Sequence, residues 1–242
     1  MITYVHEDND SLSLTDNHVR AICQDTAGIL FIATVNGLDR FNSYTGKFYH
    51  YRHESTNPNS LSSNQVYDII RDKEGIYWLG TWGGGLNRME IDKANTTDPH
   101  KPAYRFTRYM QNDSGNSISS NDIPDLELGP DGNIWIATFG DGFYIFNPSD
   151  TTLQHISYDP DNSESSVSSR VTRIVVRENK VWMGTENGLC LFEPQDTSFV
   201  YFMNVPGSPT GLANNYIVTL RFDSFGELWI GTRGGGIYRL LK

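Results

Sequence analysis

One pattern is written five times along the chain, and this repetition constrains the fold more than any other feature. Each copy has an aromatic residue, a small residue followed by threonine, a glycine-containing turn and a second apolar stretch. The copies are LFIATVNGLDRF (30–41), YWLGTWGGGLNRM (77–89), IWIATFGDGFYIF (134–146), VWMGTENGLCLF (181–192) and LWIGTRGGGIYRL (228–240). The aromatic anchors follow one another at 47, 57, 47 and 47 residues and are Phe31, Trp78, Trp135, Trp182 and Trp229. A period of this length indicates an array of equal structural units.

Each unit contains four strand-like segments. A β-branched run and a turn that usually reads Asp-x-x-Gly precede the anchor strand, and a third and a fourth strand follow the glycine turn. Helical periodicity is absent, and four short strands per unit of about 47 residues are typical of a β-propeller blade. We therefore predict an all-β fold, a β-propeller of five four-stranded blades that forms a single domain over residues 1–242. The longer second step is explained by a polar surface loop at 92–104.

The glycine clusters have two possible explanations, a phosphate-binding loop or a tight turn. Glycines that follow a strand let backbone N–H groups approach an anion. A phosphate site, however, is expected once per protein, whereas these glycines recur in every repeat. We interpret them as turns between the second and third strands, where a positive φ is needed and only glycine adopts it at low cost.

The two ends of the chain complement each other. Tyr4, His6 and Glu7 match Tyr51, His53 and Glu54 at the same 47-residue offset, so the N-terminus reads as a fourth strand. The fifth repeat ends after its third strand. We predict that the N-terminal strand closes the last blade, with Tyr4 paired into the sheet of residues 212–240, because closure removes exposed edges. A piece of a larger ring would show the same complementary ends.

Composition excludes several classes of partner. The formal net charge is −10, the pI is near 5.0, and the chain has no cluster of Lys and Arg, so nucleic acid and anionic lipid are not expected to bind. No apolar stretch approaches the length of a membrane span, and the start MITYVHEDND lacks the features of a signal peptide. Cys23 and Cys190 lie in apolar runs and are interpreted as buried hydrophobes.

Catalytic and metal-binding patterns are not evident. The histidines are His6, His18, His50, His53, His100 and His155. His50 and His53 are three apart on a predicted strand, so they point to opposite faces and are poorly placed to share a metal. The segment DPDNSES (159–165) resembles the start of a calcium loop, but it lacks the sixth-position glycine, and Arg170 occupies the place of the bidentate acid. We predict no enzyme activity, no metal and no cofactor.

The repeat closely resembles that of the two-component regulator propeller family. The best copies are NQVYDIIRDKEGIYWLGTWGGGLNR and NYIVTLRFDSFGELWIGTRGGGIYR. The resemblance covers nearly the whole chain and implies the extracytoplasmic or periplasmic sensor region of a hybrid two-component system, as in gut Bacteroidetes, where such regions detect glycan breakdown products. It also implies a histidine kinase module as partner. The fourth repeat departs from the pattern, with Arg170, a RENK turn and a shortened ENG turn. It has either drifted or been recruited to another role.

A binding site is predicted where the repeats disagree with one another. In a propeller, the starts of the first strands and the glycine turns rim the mouth of the central channel. The strand starts contribute His18, Gln65, Asp122, Arg170 and Tyr216, and the turns contribute Val35, Trp82, Phe139, Glu186 and Arg233. Trp82 and Phe139 can stack on an apolar sugar face, and the charged residues can hydrogen-bond hydroxyls or a carboxylate. Unconstrained sequence drift in exposed loops is the alternative explanation for the differences between the repeats at these positions.

Three functions remain open from the sequence. A non-catalytic module that senses a glycan-derived ligand in two-component signalling is favoured, because the repeat type and the lack of catalytic patterns agree. A scaffold for protein–protein contact or self-association is the second, and a propeller lyase or glycosidase is the third. The propeller lyases resemble this architecture but need histidines near the axis, where only His18 is expected.

Overall fold

The computed structural model describes residues 1–97, 102–111, 117–156, 168–205 and 211–240. Two compact units make up the chain, Met1–Ile123 and Pro124–Lys242. The described residues form β-strands joined by turns and irregular segments, and none of them is helical. His100 and the segment 159–165 lie outside the described residues, as does part of the predicted loop at 92–104.

The first unit holds two four-stranded antiparallel sheets, one for each of the first two repeats. Their strand orders are β1-β2-β3-β4 and β5-β6-β7-β8. The strands are β1 (Val19–Gln24), β2 (Ile29–Thr34), β3 (Gly37–Asn42), β4 (Lys47–Tyr51), β5 (Val66–Arg71), β6 (Tyr77–Thr81), β7 (Gly85–Ile91) and β8 (Tyr104–Tyr109). Strands β1 and β5 lie side by side, as the first strands of neighbouring propeller blades do. The core between the two sheets includes Phe31, Leu38, Val66 and Leu79.

The second unit holds the other three repeats as three consecutive sheets. The third repeat forms β9 (Asp125–Leu128), β10 (Ile134–Ala137), β11 (Phe143–Asn147) and β12 (Thr152–Ile156). The fourth forms β13 (Val171–Arg177), β14 (Lys180–Thr185), β15 (Gly188–Glu193) and β16 (Ser198–Phe202). The fifth forms β17 (Ile217–Phe222), β18 (Leu228–Thr232) and β19 (Gly236–Leu240). Strands β9, β13 and β17 are successive neighbours, and each sheet is antiparallel in chain order.

The threonine and the glycines of the repeated motif form a turn, as the sequence predicts. In every repeat the threonine Oγ1 donates a hydrogen bond to the carbonyl of the glycine near the start of the third strand. The five bonds measure 2.8–3.1 Å and join Thr34 to Gly37, Thr81 to Gly85, Thr138 to Gly142, Thr185 to Gly188 and Thr232 to Gly236. Gly83 and Gly85 have φ of 76° and 69°, which a side chain would strain. The motif is therefore a structural turn in each repeat.

The aspartate of the Asp-x-x-Gly turn binds the aromatic anchor in two repeats. Trp78 Nε1 donates to Asp72 Oδ2, and Trp229 Nε1 donates to Asp223 Oδ2, both at 2.8 Å. In the third repeat Gly129 occupies the place of the aspartate, and the buried Nε1 of Trp135 has no hydrogen-bond partner among the described residues. In the fourth repeat Glu178 and Asn179 form the turn with positive φ. The turn and the anchor strand thus depend on each other where both residues are present.

The all-β propeller fold class is confirmed, but the N-terminal strand does not take the predicted place. Residues 1–18 contain no strand, and the fifth sheet has three strands in the described part of the chain. The ring of Tyr4 packs instead on Phe41 and Phe48 of the first repeat, at centroid distances of 4.8 and 5.9 Å. The offset alignment itself is correct, because His6 N–H donates to Asn17 and His53 N–H donates to Asn64, each at 2.7 Å. These local contacts satisfy the segment without a sheet partner.

Candidate functional site

One backbone hydrogen bond joins the strand start to the glycine turn in four of the five repeats. The N–H of the first turn residue donates to the carbonyl of the residue that precedes the first strand. The pairs are Val35 with His18 (3.3 Å), Trp82 with Gln65 (2.9 Å), Glu186 with Arg170 (3.3 Å) and Arg233 with Tyr216 (2.8 Å). The two sets of predicted site residues therefore meet within each of these repeats.

A β-bulge interrupts the first strand in four of the five repeats. The register shifts between Val19 and Ala21 in β1, and between Val66 and Asp68 in β5. The same shift occurs between Val171 and Arg173 and between Ile217 and Thr219. A bulge leaves one residue outside the ladder and re-aims its side chain. The residues at the bulges of the first unit are Arg20 and Tyr67.

The first unit carries a stack of three side chains built on these bulges. The Arg20 guanidinium lies 4.6 Å from the centre of the Tyr67 ring. The Tyr67 ring in turn stacks on Trp82 with a centroid distance of 5.2 Å and an interplanar angle of 29°. Both aromatic rings are only partly buried. The arrangement offers partly exposed aromatic surface beside a cation, a combination that suits ligands with an apolar face.

The backbone of Trp82 is held by the segment that precedes β5. Its carbonyl accepts a 2.8 Å hydrogen bond from Ser63 Oγ, and its N–H is bound by Gln65. The next residue, Gly83, donates its N–H to Asp122 Oδ1 at 2.8 Å. The structure thus brings Gln65, Trp82 and Asp122 together, with Asp122 reaching the turn of the preceding repeat.

The second unit carries a separate cluster of Phe139, Arg170 and Glu186. Phe139 and Arg170 form an antiparallel bridge, and the Arg170 guanidinium lies 4.9 Å from the centre of the Phe139 ring. Arg170 Nη1 also lies 3.0 and 3.2 Å from the two carboxylate oxygens of Glu186. The Arg170 side chain is 51% exposed and that of Glu186 is 23% exposed, so solvent reaches this ion pair and its contribution to stability is small.

The other predicted residues form isolated contacts. Arg233 lies over the Tyr216 ring at 5.4 Å. His18 has an exposed ring whose Nδ1 is 3.0 Å from Asp16 Oδ1. The hydrogen bond from the His18 backbone N–H is the main reason that the pKa of Asp16 lies below its usual range. No described contact joins His18 to the aromatic stack, or Tyr216 to the cluster around Arg170.

Metal-binding and nucleophilic groups are not assembled near these residues. Within the described ranges, no group of three or more His, Cys, Asp or Glu side chains is placed to hold a metal ion. Burial raises the pKa of the Cys23 thiol, and it raises that of Cys190 to about 12. Both thiols are therefore protonated at neutral pH. Cys190 is buried, as the sequence predicts, whereas Cys23 is only partly buried.

Sequence reasoning missed Arg20 and Tyr67 as members of the stack. A strand with strict alternation predicts the direction of each side chain, but a bulge reverses that direction locally. The available signal was a bulky polar or aromatic residue directly after the first β-branched residue of the strand, as in Val19-Arg20 and Val66-Tyr67. The bulge itself became visible only in the register of the sheet.

Solved structures of low sequence identity share the propeller fold of this chain. The extracellular domain of the hybrid two component system BT3049 from B. thetaiotaomicron matches with a TM-score of 0.77 and 22% identity over 99% of this chain and 31% of its own. The corresponding domain of BT4673 from the same organism matches with a TM-score of 0.70 and 21% identity over 95% of this chain and 28% of its own. This chain thus spans about a third of their length. Virginiamycin B lyase from Staphylococcus aureus matches with a TM-score of 0.60 and 17% identity over 95% of this chain and 71% of its own.

The repeats themselves are recognised at the level of sequence. The family model of the two component regulator propeller matches residues 13–36, 60–83, 117–140 and 211–234, that is, every repeat except the divergent fourth. These four segments, which together make up less than half of the chain, are similar to the two component regulator propeller repeat. No curated protein matches the chain by sequence. Among the described residues, no helix is long and apolar enough to cross a membrane.

Proposed function

We propose that this chain is a non-catalytic, extracytoplasmic ligand-binding module of two-component signalling, and that its ligand is derived from a glycan. The repeat family and the fold shared with extracellular domains of hybrid two component systems support the sensor role. A histidine kinase module is the partner that such a role implies. The observation that carries the ligand class is the partly exposed stack of Arg20, Tyr67 and Trp82.

The chemistry of the junction residues fits a sugar better than other small molecules. Aromatic faces bind the C–H face of a pyranose, while nearby polar groups bind its hydroxyls. Next to Trp82 the chain offers Gln65 and Asp122, and the second unit offers the partly exposed ion pair of Arg170 and Glu186. The Arg233 guanidinium over Tyr216 is suited to a uronic acid carboxylate.

Isothermal titration calorimetry against neutral and acidic oligosaccharides tests the proposal. We expect one member of the panel to bind the wild type and to bind Trp82→Ala about tenfold more weakly, the loss that removing about 1.4 kcal/mol of contact produces. Arg233→Ala is expected to weaken only acidic ligands. Tyr44→Ala is the matched control, because Tyr44 is an exposed aromatic residue in the turn between β3 and β4.

Three results would contradict parts of this proposal. A ligand that binds the wild type, Trp82→Ala and Arg233→Ala equally well removes these residues from the site. Failure of the whole panel to bind rejects the glycan class. Turnover of an oligosaccharide or a lactone that is lost on changing one His, Asp or Glu makes the chain an enzyme instead.

A further inference from the structure

The turn before the anchor strand of the third repeat keeps the backbone of its counterpart in the second repeat but lacks its acceptor. Gly129 N–H donates to the Asn133 carbonyl at 2.8 Å, and Gly132 N–H donates to the Gly129 carbonyl at 3.0 Å. Asp72 and Gly75 form the same two hydrogen bonds in the second repeat, at 2.9 and 3.1 Å. Gly129 therefore stands where the second repeat has the carboxylate that binds its tryptophan.

The nearby Asp131 performs only one of the two tasks of that carboxylate. Asp72 accepts hydrogen bonds from a backbone N–H and from the indole N–H of its own repeat. Asp131 Oδ1 accepts the backbone N–H of Asn133 at 3.1 Å. Trp135 is only 5% exposed, and its Nε1 has no acceptor among the described residues. A buried donor in this state costs free energy that an acceptor would return.

An open pocket of about 310 Å³ lies beside Trp135, within the second unit. Its volume is at the lower end of the range for ligand pockets, about 300–1,000 Å³. The walls include Pro130 of the third repeat and Val176, Val181 and Pro194 of the fourth. The pocket lies at the end of β10 opposite the glycine turn, so it is separate from the junction residues.

The divergent turn of the fourth repeat lines the same pocket. Its hairpin has Glu178 and Asn179 between the paired residues Arg177 and Lys180, where the second repeat has residues 72–76. Asn179 is one of the lining residues. Two neighbouring repeats thus depart from the Asp-x-x-Gly pattern, and their altered turns meet at one pocket. This coincidence favours recruitment of the fourth repeat over drift.

The Asp131 side chain controls access to the indole N–H. The point where a Cβ at Gly129 would stand lies 2.6 Å from Asp131 Oδ1 and 2.8 Å from Trp135 Nε1, so the carboxylate lies beside the unpaired donor. Nε1 is closed to solvent in this geometry. Asp131 is exposed, and its carboxylate is bound by the backbone and side-chain N–H groups of Asn133. Its charge disfavours an anionic ligand.

We propose that this pocket binds a small neutral molecule with an apolar body and one carbonyl or hydroxyl oxygen. The oxygen accepts the hydrogen bond of Trp135 Nε1 once the Asp131 side chain turns outward. The apolar body packs on Pro130, Val176 and Val181. This site is independent of the glycan ligand proposed above, and neither needs the other.

NMR of the indole N–H groups, with cyclohexanone as the probe, tests the proposal. The chain has five tryptophans, and Trp135→Phe identifies the resonance of Trp135. That resonance should move downfield and saturate as cyclohexanone is added, because a hydrogen bond to oxygen deshields the proton. Methylenecyclohexane has the same shape without the oxygen and should not move it downfield. The indoles of Trp78 and Trp229 already bind aspartates, so their resonances should stay in place.

Two variants should act in opposite directions. Gly129→Asp supplies the missing acceptor and should weaken the binding of cyclohexanone about tenfold. Asp131→Ala removes the side chain that must move and should bind the probe at least as tightly as the wild type. If Gly129→Asp does not fold, the matched probes and Asp131→Ala still decide.

Four results would overturn the proposal. One is a Trp135 resonance that does not move in the wild type, or that moves together with those of Trp78 and Trp229. A second is equal movement with both probes. The third is loss of the response in Asp131→Ala, and the fourth is a folded Gly129→Asp that binds cyclohexanone as the wild type does.

Discussion

The segments that lead into the first strands of the first and second repeats, residues 6–17 and 53–64, are built almost identically. We call each of them the connector. In both, a histidine donates its backbone N–H to an asparagine eleven residues later, and its Nδ1 hydrogen-bonds a leucine carbonyl at 2.7 Å. A serine Oγ accepts the N–H of the next glutamate at 2.9 Å in each case, from Glu7 to Ser13 and from Glu54 to Ser60. These hydrogen bonds to the connector backbone are therefore a property of the repeat.

The side chains that fasten this connector to the sheet differ between the two repeats. In the first repeat, His50 Nδ1 lies 2.6 Å from Asp39 Oδ1 and Nε2 lies 2.8 Å from the Ser11 carbonyl, while Thr15 hydrogen-bonds Asp39. In the second, Asn87 exchanges two hydrogen bonds with Ser62, and Arg108 binds the carbonyls of Asn57, Ser60 and Leu61. His50 pairs with Asp39 as Arg108 pairs with Asn87, so the two residues occupy equivalent places. A histidine, with a usual pKa of about 6.5, thus stands in the first repeat where the second has a permanently charged arginine.

The two repeats also differ in how much of their first strands, β1 and β5, is buried. Val66 and Ile69 of the second repeat are buried, while Val19 and Ile22 of the first are exposed. Similar residues on a similar backbone thus have different energetic roles. The repeat therefore determines local geometry, whereas the neighbouring repeat determines how much each apolar residue contributes to stability.

The largest expected effect comes from the pair Ile69 and Ile22. Ile69→Ala should lower the free energy of unfolding by about 2–5 kcal/mol, because it leaves a cavity in the core between β1 and β5. Ile22→Ala should change it by less than about 0.5 kcal/mol, because its side chain is already exposed. Urea unfolding at low protein concentration measures both. Equal losses from the two variants would mean that the Ile22 side chain is covered in solution.

A smaller effect is expected at the turn aspartates. Asp72 is buried and binds both Ile76 N–H and Trp78 Nε1, whereas Asp25 binds only backbone N–H groups and its repeat has Phe31 as anchor. Asp72→Ala should cost about 1–3 kcal/mol more than Asp25→Ala, because it leaves a buried indole N–H without its acceptor.

A double-mutant cycle isolates this contact. In a Trp78→Phe background, Asp72→Ala should cost about as much as Asp25→Ala does in the wild type. Chemical denaturation of the wild type, the two single variants and the double variant gives the coupling free energy. A coupling near zero would show that the indole hydrogen bond does not explain the difference between the two repeats.

The smallest expected effect is a pH dependence that His50 gives to the first repeat. Both ring nitrogens of His50 face acceptors, so the geometry favours the protonated ring, and the hydrogen bond to Asp39 is the main reason that the pKa of His50 is raised. Because the folded-state pKa lies above the unfolded value of about 6.5, this stabilisation is complete below that pH and is lost as the pH rises through the folded-state value.

His50→Gln should therefore flatten the fall in melting temperature above about pH 6.5. Arg108→Gln is the matched control in the second repeat, where it removes a group that stays charged throughout this range. It should lower stability without changing the pH slope. A wild-type slope that persists in His50→Gln would assign the pH dependence to another group.

Much of the fold was predictable because the relevant interactions are local. The turn glycines and the anchor aromatics lie within a few residues of one another. The structure confirms the predicted turn and shows a Thr–Gly hydrogen bond across it in each repeat. The position of Tyr4 was not predictable in this way. Its sequence matches a fourth strand, but its ring finds Phe41 and Phe48, and local hydrogen bonds hold the segment outside the sheet.

The candidate site was partly predictable for the same reason. Gln65, Trp82, Arg170 and Glu186 were named from the sequence as strand starts and glycine turns, and the backbone hydrogen bonds that join Gln65 to Trp82 and Arg170 to Glu186 became visible in the structure. The reach of Asp122 to Gly83 of the preceding repeat and the stack of Arg20 on Tyr67 were not predictable from the sequence, because they depend on a bulge and on an adjacent repeat.

The sequence by itself determined the number of repeats, the strands of each and the chemistry of the turns, because these depend on side-chain alternation and on glycine at a few backbone positions. Only the tertiary structure decided which apolar residues are buried, which side chains the bulges present and which group neutralises Asp39. Those outcomes depend on atoms contributed by distant parts of the chain. Leu38, for example, is buried because it packs with Val66 and Ile69 of the second repeat.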